Sequence, residues 1–211
     1  MASAISKVTF LHADRLTCIR GQRVLFRDLS FRVAAGQVLS LEGPNGSGKT
    51  SLLRLIAGFI APASGTVSLS TGDAVIGEAE ERGRHIGWLG HHDAAKPQLS
   101  PREVLAFFAR LYGSTGDVEA ALASVGLAPI ASLPCQYLSA GQKKRLALAR
   151  LRLCGRAVWL LDEPLAALDA DGKARAAELI ASHTKSGGIA IAATHEPLGI
   201  ECTRLTLGAA P

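Results

Sequence analysis

Lys49 and Thr50 end an eight-residue run, Gly43-Pro44-Asn45-Gly46-Ser47-Gly48-Lys49-Thr50, that satisfies the pattern G-x-x-x-x-G-K-[ST]. Glycines let the backbone curl around an anion so that its N–H groups point inward at phosphates. Lys49 adds a positive charge on a flexible stem, and the Thr50 hydroxyl is an oxygen ligand suited to Mg2+. Taken alone, the run says only that a nucleoside triphosphate binds.

A second constellation lies further along. Four apolar residues, Val158 to Leu161, lead into Asp162-Glu163-Pro164. A buried strand that delivers two carboxylates at its C-terminal end places them where a parallel sheet binds ligands. Asp162 would hold the metal, and Glu163 would orient and polarise an attacking water, a role worth about a hundred- to ten-thousand-fold in rate. The same residues could instead cap a helix after a core strand; the phosphate loop upstream is what favours chemistry.

These residues need a scaffold. Val8 to Leu41 alternates apolar and polar residues, as in "RVLFRDLSFRV", and predicts antiparallel strands. Val38 to Leu41 runs as a strand into the glycine-rich turn, and Thr50 to Phe59 follows as a helix, with Pro62 and Gly65 ending it. Ser100-Pro101 is a helix start, with serine as cap and proline at the first position. Helix follows helix from about Pro101 to Leu153. After "AVWLLDE", Asp171 to His183 reads as a helix and "IAIAATH" as a second buried strand. The expectation is a single α/β domain over residues 1–211. Its mainly parallel core sheet has an antiparallel N-terminal part and a helical insertion over about residues 92–153.

Composition bounds the possibilities. The chain has 211 residues, 48% hydrophobic and 19% charged, which fits one globular core. No stretch approaches the roughly 20 apolar residues of a membrane helix, and "MASAISKVTF" does not read as a secretory signal. Membrane association would therefore come through a partner. The net charge of +5 is compatible with nucleic acid or an anionic surface. The basic residues are scattered, however, apart from Lys143, Lys144 and Arg145, so the reading is a mildly basic surface without a nucleic-acid partner. Cys18, Cys135, Cys154 and Cys202 lie far apart and read as reduced cytoplasmic thiols.

"LSAGQKKRLALAR", from Leu138, brings the sequence to a family. Its first five residues resemble the "LSGGQ" signature of ATP-binding cassette proteins, just ahead of "LLDEP" as in that family. A serine-capped helix is the plainer reading, and both can hold, since a capped helix N-terminus is also an anion site. The resemblance implies ATP with Mg2+. It also implies that Ser139, Gly141 and Gln142 face the γ-phosphate of a nucleotide bound by a second copy, so that two chains share two sites. "LAALD" looks like the D-loop, with Asp169 at the dimer seam, and "ATHE" like the H-loop, with His195 at the γ-phosphate. A lone histidine after a strand is otherwise a structural residue.

Two positions depart from the family pattern. Arg20 stands where an aromatic residue stacks on adenine, and a guanidinium can also stack on a base. His92 stands at the Q-loop glutamine, although the His91-His92 pair could instead bind haem or a metal. Within the family, "RGQRVLFRDLSF", "LGHHDAAKPQLSPREVLAFF" and "THEPLG" are most similar to the haem-exporter ATPases of bacterial cytochrome c maturation. That resemblance implies a peripheral subunit on the cytoplasmic face of the inner membrane. It would be bound to integral-membrane subunits and would meet haem only indirectly. An ATPase for another exporter, a non-transport cassette and a metabolic P-loop kinase are the alternatives, the last opposed by "LSAGQ". If Lys49 holds phosphates, Lys49→Ala should lose ATP binding while the fold survives; equal affinity of variant and parent in equilibrium binding would refute the assignment.

Overall fold

The computed structural model describes residues 7–72, 74–90 and 95–208. Two long strands, β1 (Phe10–Arg20) and β2 (Arg23–Ala34), form a hairpin whose tight end pairs Arg20 with Arg23. With β4 (Ser64–Thr71) and β5 (Ala74–Ile76) they make an antiparallel sheet in the order β2-β1-β4-β5. The second sheet contains β3 (Val38–Glu42), β6 (Ile86–Leu89), β7 (Val158–Asp162), β8 (Ile189–Ala193) and β9 (Thr203–Thr206). Its order is β6-β7-β8-β3-β9, and every neighbouring pair is parallel.

The central strands β7, β8 and β3 are buried on both faces, and the strand alternation sorts their side chains into two cores. Leu39, Leu41, Val158, Leu160, Ile189 and Ile191 face α1 (Lys49–Ala57) and the antiparallel sheet. Trp159, Leu161, Ala190 and Ala192 face the opposite way. Helices α3 (Pro101–Leu111), α5 (Ala140–Cys154) and α6 (Ala170–Lys185) cover that second face, together with the short α4 (Val118–Ser124). A further short helix, α2 (Ala79–Gly83), leads into β6. None of the described helices is long and apolar enough to cross a membrane.

Side chains cap the helix starts, at Ser100 as expected and at Asp169, one residue ahead of a helix that begins a residue earlier than Asp171. Ser100 accepts from the Glu103 N–H at 3.4 Å while Glu103 accepts from the Ser100 N–H at 2.8 Å, a closed capping box. Asp169 caps α6 through the Gly172 N–H at 2.8 Å. One end also differs from expectation. Helix α1 stops at Ala57 because Gly58 takes the left-handed conformation, φ 79°, that terminates helices. Phe59 thus lies outside the helix and is 61% exposed, packed edge-on against Trp88.

The run Lys143-Lys144-Arg145 is not an exposed basic patch. Lys144 is buried, its ammonium 3.4 Å from the Gly90 carbonyl, and Arg145 is paired with carboxylates. Leu105 is core, whereas Phe107 on the same helix is 56% exposed.

His183 stacks flat on Trp159, ring centroids 3.9 Å apart, and its Nε2 lies 3.2 Å from the Ile189 carbonyl. Burial pushes its pKa down to about 4 from an ordinary 6.5. The folded chain therefore holds a neutral imidazole where the unfolded chain takes up a proton. Stability from this residue is complete above about pH 6.5 and is lost as the pH falls toward 4. His183→Phe, which keeps a stacking ring and removes the titration, should flatten that acid limb in urea unfolding between pH 4 and 7. An unchanged pH slope would refute this account.

Candidate functional site

The two constellations meet at the C-terminal ends of β3, β7 and β8. A cavity of about 650 Å3 is lined there by Arg20, Leu25, Asn45, Gly46, Gly48, Lys49, Thr50, Ser51, Arg54, Asp162, Glu163 and His195. Nine of these twelve were candidates from sequence. Ser51 and Arg54 also had a signal: with Leu52, Leu53 and Ile56 buried, helical spacing turns them outward. Leu25 arrives through the β1–β2 hairpin, whose register sequence alone does not fix.

The loop geometry explains its composition. Gly43, Gly46 and Gly48 all have positive φ, 137°, 79° and 102°. At Gly43 a side chain is excluded twice over, since a Cβ would lie 2.2 Å from the Leu207 carbonyl oxygen and 2.9 Å from Ser47 Oγ. Lys49, 7% exposed, donates from Nζ to the Gly43 and Pro44 carbonyls at 2.8 and 3.1 Å. The ammonium therefore lies back across its own loop. Ser47 Oγ is buried without a partner, so the loop retains unused polar capacity.

Across the cavity, Thr50 Oγ1 donates to Asp162 Oδ1 at 3.0 Å. Glu163 stands at the strand end with φ 49°, unusual for a non-glycine residue, and its N–H donates to the Ala193 carbonyl at 2.9 Å. Its Oε1 is 3.6 Å from His195 Nε2. One amine, one hydroxyl–carboxylate pair and one carboxylate–imidazole pair thus surround a single space. That set can bind a polyanion, offer oxygen ligands to a hard cation and accept a proton from water.

The remaining sequence candidates lie elsewhere. Ser139, Gly141, Gln142 and Asp169 do not line this cavity. Ser139 caps α5, accepting from the Gln142 N–H at 3.2 Å while the Gln142 side chain accepts from the Ser139 N–H at 2.9 Å. The plain reading of "LSAGQ" as a capped helix therefore holds in full. Gly141 has a packing reason, because a Cβ there would come 2.6 Å from the Ala167 carbonyl. Hydrogen bonds from Gly172 and Arg145 hold the Asp169 carboxyl below its usual range. His92, like His91, lies outside the described residues.

Residues 26–166 match the family described as ABC transporter, and that stretch contains the loop, the signature and both carboxylates. The chain belongs to the ABC transporter family as an ATP-binding subunit that hydrolyses ATP to drive transport. Within the family it is similar to the cytochrome c biogenesis ATP-binding export proteins CcmA. It is 50% identical to that of Rhodopseudomonas palustris (strain BisB5) over 95% of this chain and 99% of the relative. With that of Nitrobacter winogradskyi the identity is 46%, over 95% and 98%. Among solved structures, a putative ABC transporter ATP-binding protein from Pyrococcus furiosus superposes with a TM-score of 0.82 at 25% identity, covering 94% of this chain and 98% of that one.

The two close contacts at Gly43 distinguish it from Gly46, whose nearest neighbour to an added Cβ is 4.0 Å away. Gly46→Ala should cost only the backbone strain, about 1–2 kcal/mol. Gly43→Ala must also displace Leu207 beside β9 and should cost distinctly more in chemical denaturation. Equal losses for the two would contradict the packing account.

Proposed function

We propose that this chain hydrolyses ATP for a membrane exporter serving cytochrome c biogenesis, with haem as a cargo it meets only through that exporter. The observation that carries the reading is the meeting of Lys49, the Thr50–Asp162 pair and the Glu163–His195 pair in one cavity. The names of the relatives support the biological setting.

In this reading residues 1–211 act as one domain, with residues 92–153 as the helical insertion. Loop N–H groups from Gly43 to Thr50 receive the phosphates, and Lys49 exchanges its loop carbonyls for phosphate oxygens. The Thr50 hydroxyl and the Asp162 carboxylate are oxygen donors fitted to Mg2+, which when bound neutralises phosphate charge. Glu163 would take the proton of the attacking water, and His195, 3.6 Å from Glu163, would orient it and turn toward the terminal phosphate. Arg20 offers its guanidinium plane to the base in place of an aromatic ring. His92 takes the sensing position of the Q-loop.

Ser139, Gly141, Gln142 and Asp169 have no place in their own chain's cavity. That supports their assignment to the nucleotide of a second copy in a head-to-tail dimer. Phe59, Phe107, Leu111 and Tyr112 are exposed, and this apolar surface suits an integral-membrane subunit at the cytoplasmic face of the inner membrane.

Glu163→Gln keeps shape and hydrogen bonding and removes the base. With ATP it should accumulate as a dimer in light scattering and should not turn over. A variant that stays monomeric at saturating ATP, alone and with its membrane subunits, beside a parent whose hydrolysis rate per chain is independent of protein concentration, would overturn the shared-site reading.

A further inference from the structure

We propose that Arg145 is a positioning residue, a clamp that ties the strained segment from Glu163 to Asp169 to the second turn of α5. The segment carries two non-glycine residues with left-handed backbone, Glu163 at φ 49° and Ala167 at φ 63°. A non-glycine residue in that region is strained and persists only where its surroundings enforce it. At its start the Glu163 N–H is held by Ala193. At its end Arg145 donates to the Asp169 carboxylate and, from Nη1, to Asp171 Oδ2 at 3.1 Å. Arg175 Nε donates to the same Asp171 oxygen at 2.8 Å, so two cations and two carboxylates close a neutral cluster.

The guanidinium occupies a fitted space. The Arg145 side chain is only 14% exposed, against 70% for Asp169. A Cβ on Gly126 would come 3.2 Å from Arg145 Nη1, and one on Gly172 would come 3.0 Å from its Nε, so bare backbone flanks it on two elements. A planar fork that reaches two carboxylates is a property of arginine and not of lysine. Arg145 lies one turn beyond Gly141, which itself packs against the Ala167 carbonyl. The "LSAGQ" turn and the loop that begins at Glu163 are therefore bound into one unit, and Arg145 acts on hydrolysis through that loop. This rests on the reading of Glu163 as the hydrolytic residue.

The test uses the full chain and the variants Arg145→Met, Arg145→Lys and Asp171→Asn. Steady-state hydrolysis, equilibrium ATP binding and amide hydrogen exchange over residues 163–169 and 43–50 are compared. Arg145→Met should lower kcat by about ten- to a hundredfold, the scale of a small misplacement at a reacting centre. ATP affinity should be unchanged. Exchange should quicken over 163–169 and not over 43–50. Arg145→Lys should recover only part of the rate. Asp171→Asn should act in the same direction more weakly, and it carries the test if Arg145→Met does not fold. Unchanged exchange over 163–169, or a loss of rate that only follows the folded fraction, would overturn the clamp. Because exchange is read without turnover, a Glu163→Gln variant that still hydrolyses ATP would sink the catalytic reading separately.

Discussion

The hydrogen bond from Thr50 Oγ1 to Asp162 Oδ1 joins residues 112 positions apart. It is the contact on which the site depends. Asp162 is 6% exposed, and a carboxylate in that setting needs a donor. The donor can arrive only if β3 and β7 belong to one parallel sheet, separated by β8, with both following segments leaving from the same edge. The glycine-rich turn then sets the start of α1, and its second residue, Thr50, reaches across. The sheet order, the tight loop and the buried acid are thus three aspects of one constraint. His195 enters by the same logic, from the end of the strand that lies between the other two.

Much of this was legible in the chain. The phosphate loop announces itself because few residue types permit its backbone, and β7 because four apolar residues precede two acids. What stayed hidden was whatever depends on partners distant in sequence. Strands β6 and β9 are short, and each is recognisable only beside the strand it pairs with. Gly58 ends α1 through its left-handed backbone, yet in sequence it is one more glycine before a proline. The role of Leu25 at the cavity wall needed the hairpin register.

The "LSAGQ" turn shows why a motif can have two explanations that do not compete. Its serine and glutamine close a capping box, and its glycine admits a neighbouring carbonyl. Both satisfy local needs of the fold. Neither consumes the dipole of α5, which still ends in the open at exposed Ser139. Structural residues can therefore build an anion-attracting helix end while each has a sufficient local reason to be present.

Strand β7 contributes side chains to both cores, Val158 and Leu160 to one and Trp159 and Leu161 to the other, all nearly or fully buried. In mechanical terms it is a beam clamped along both sides, because close-packed interiors have low compressibility and pass strain on rather than absorb it. The segment after Glu163 is mixed, since Leu165 and Leu168 stay in the core while Ala167 and Asp169 are exposed. Beyond Asp162 the chain is fixed at points and not along its whole length: at Ala193 through the Glu163 N–H, in the core through Leu165 and Leu168, and at Arg145 through Asp169. A force applied through the surface of the molecule would leave the acid beside Thr50 almost stationary and would reach the carboxylate one residue further along only through those few anchors.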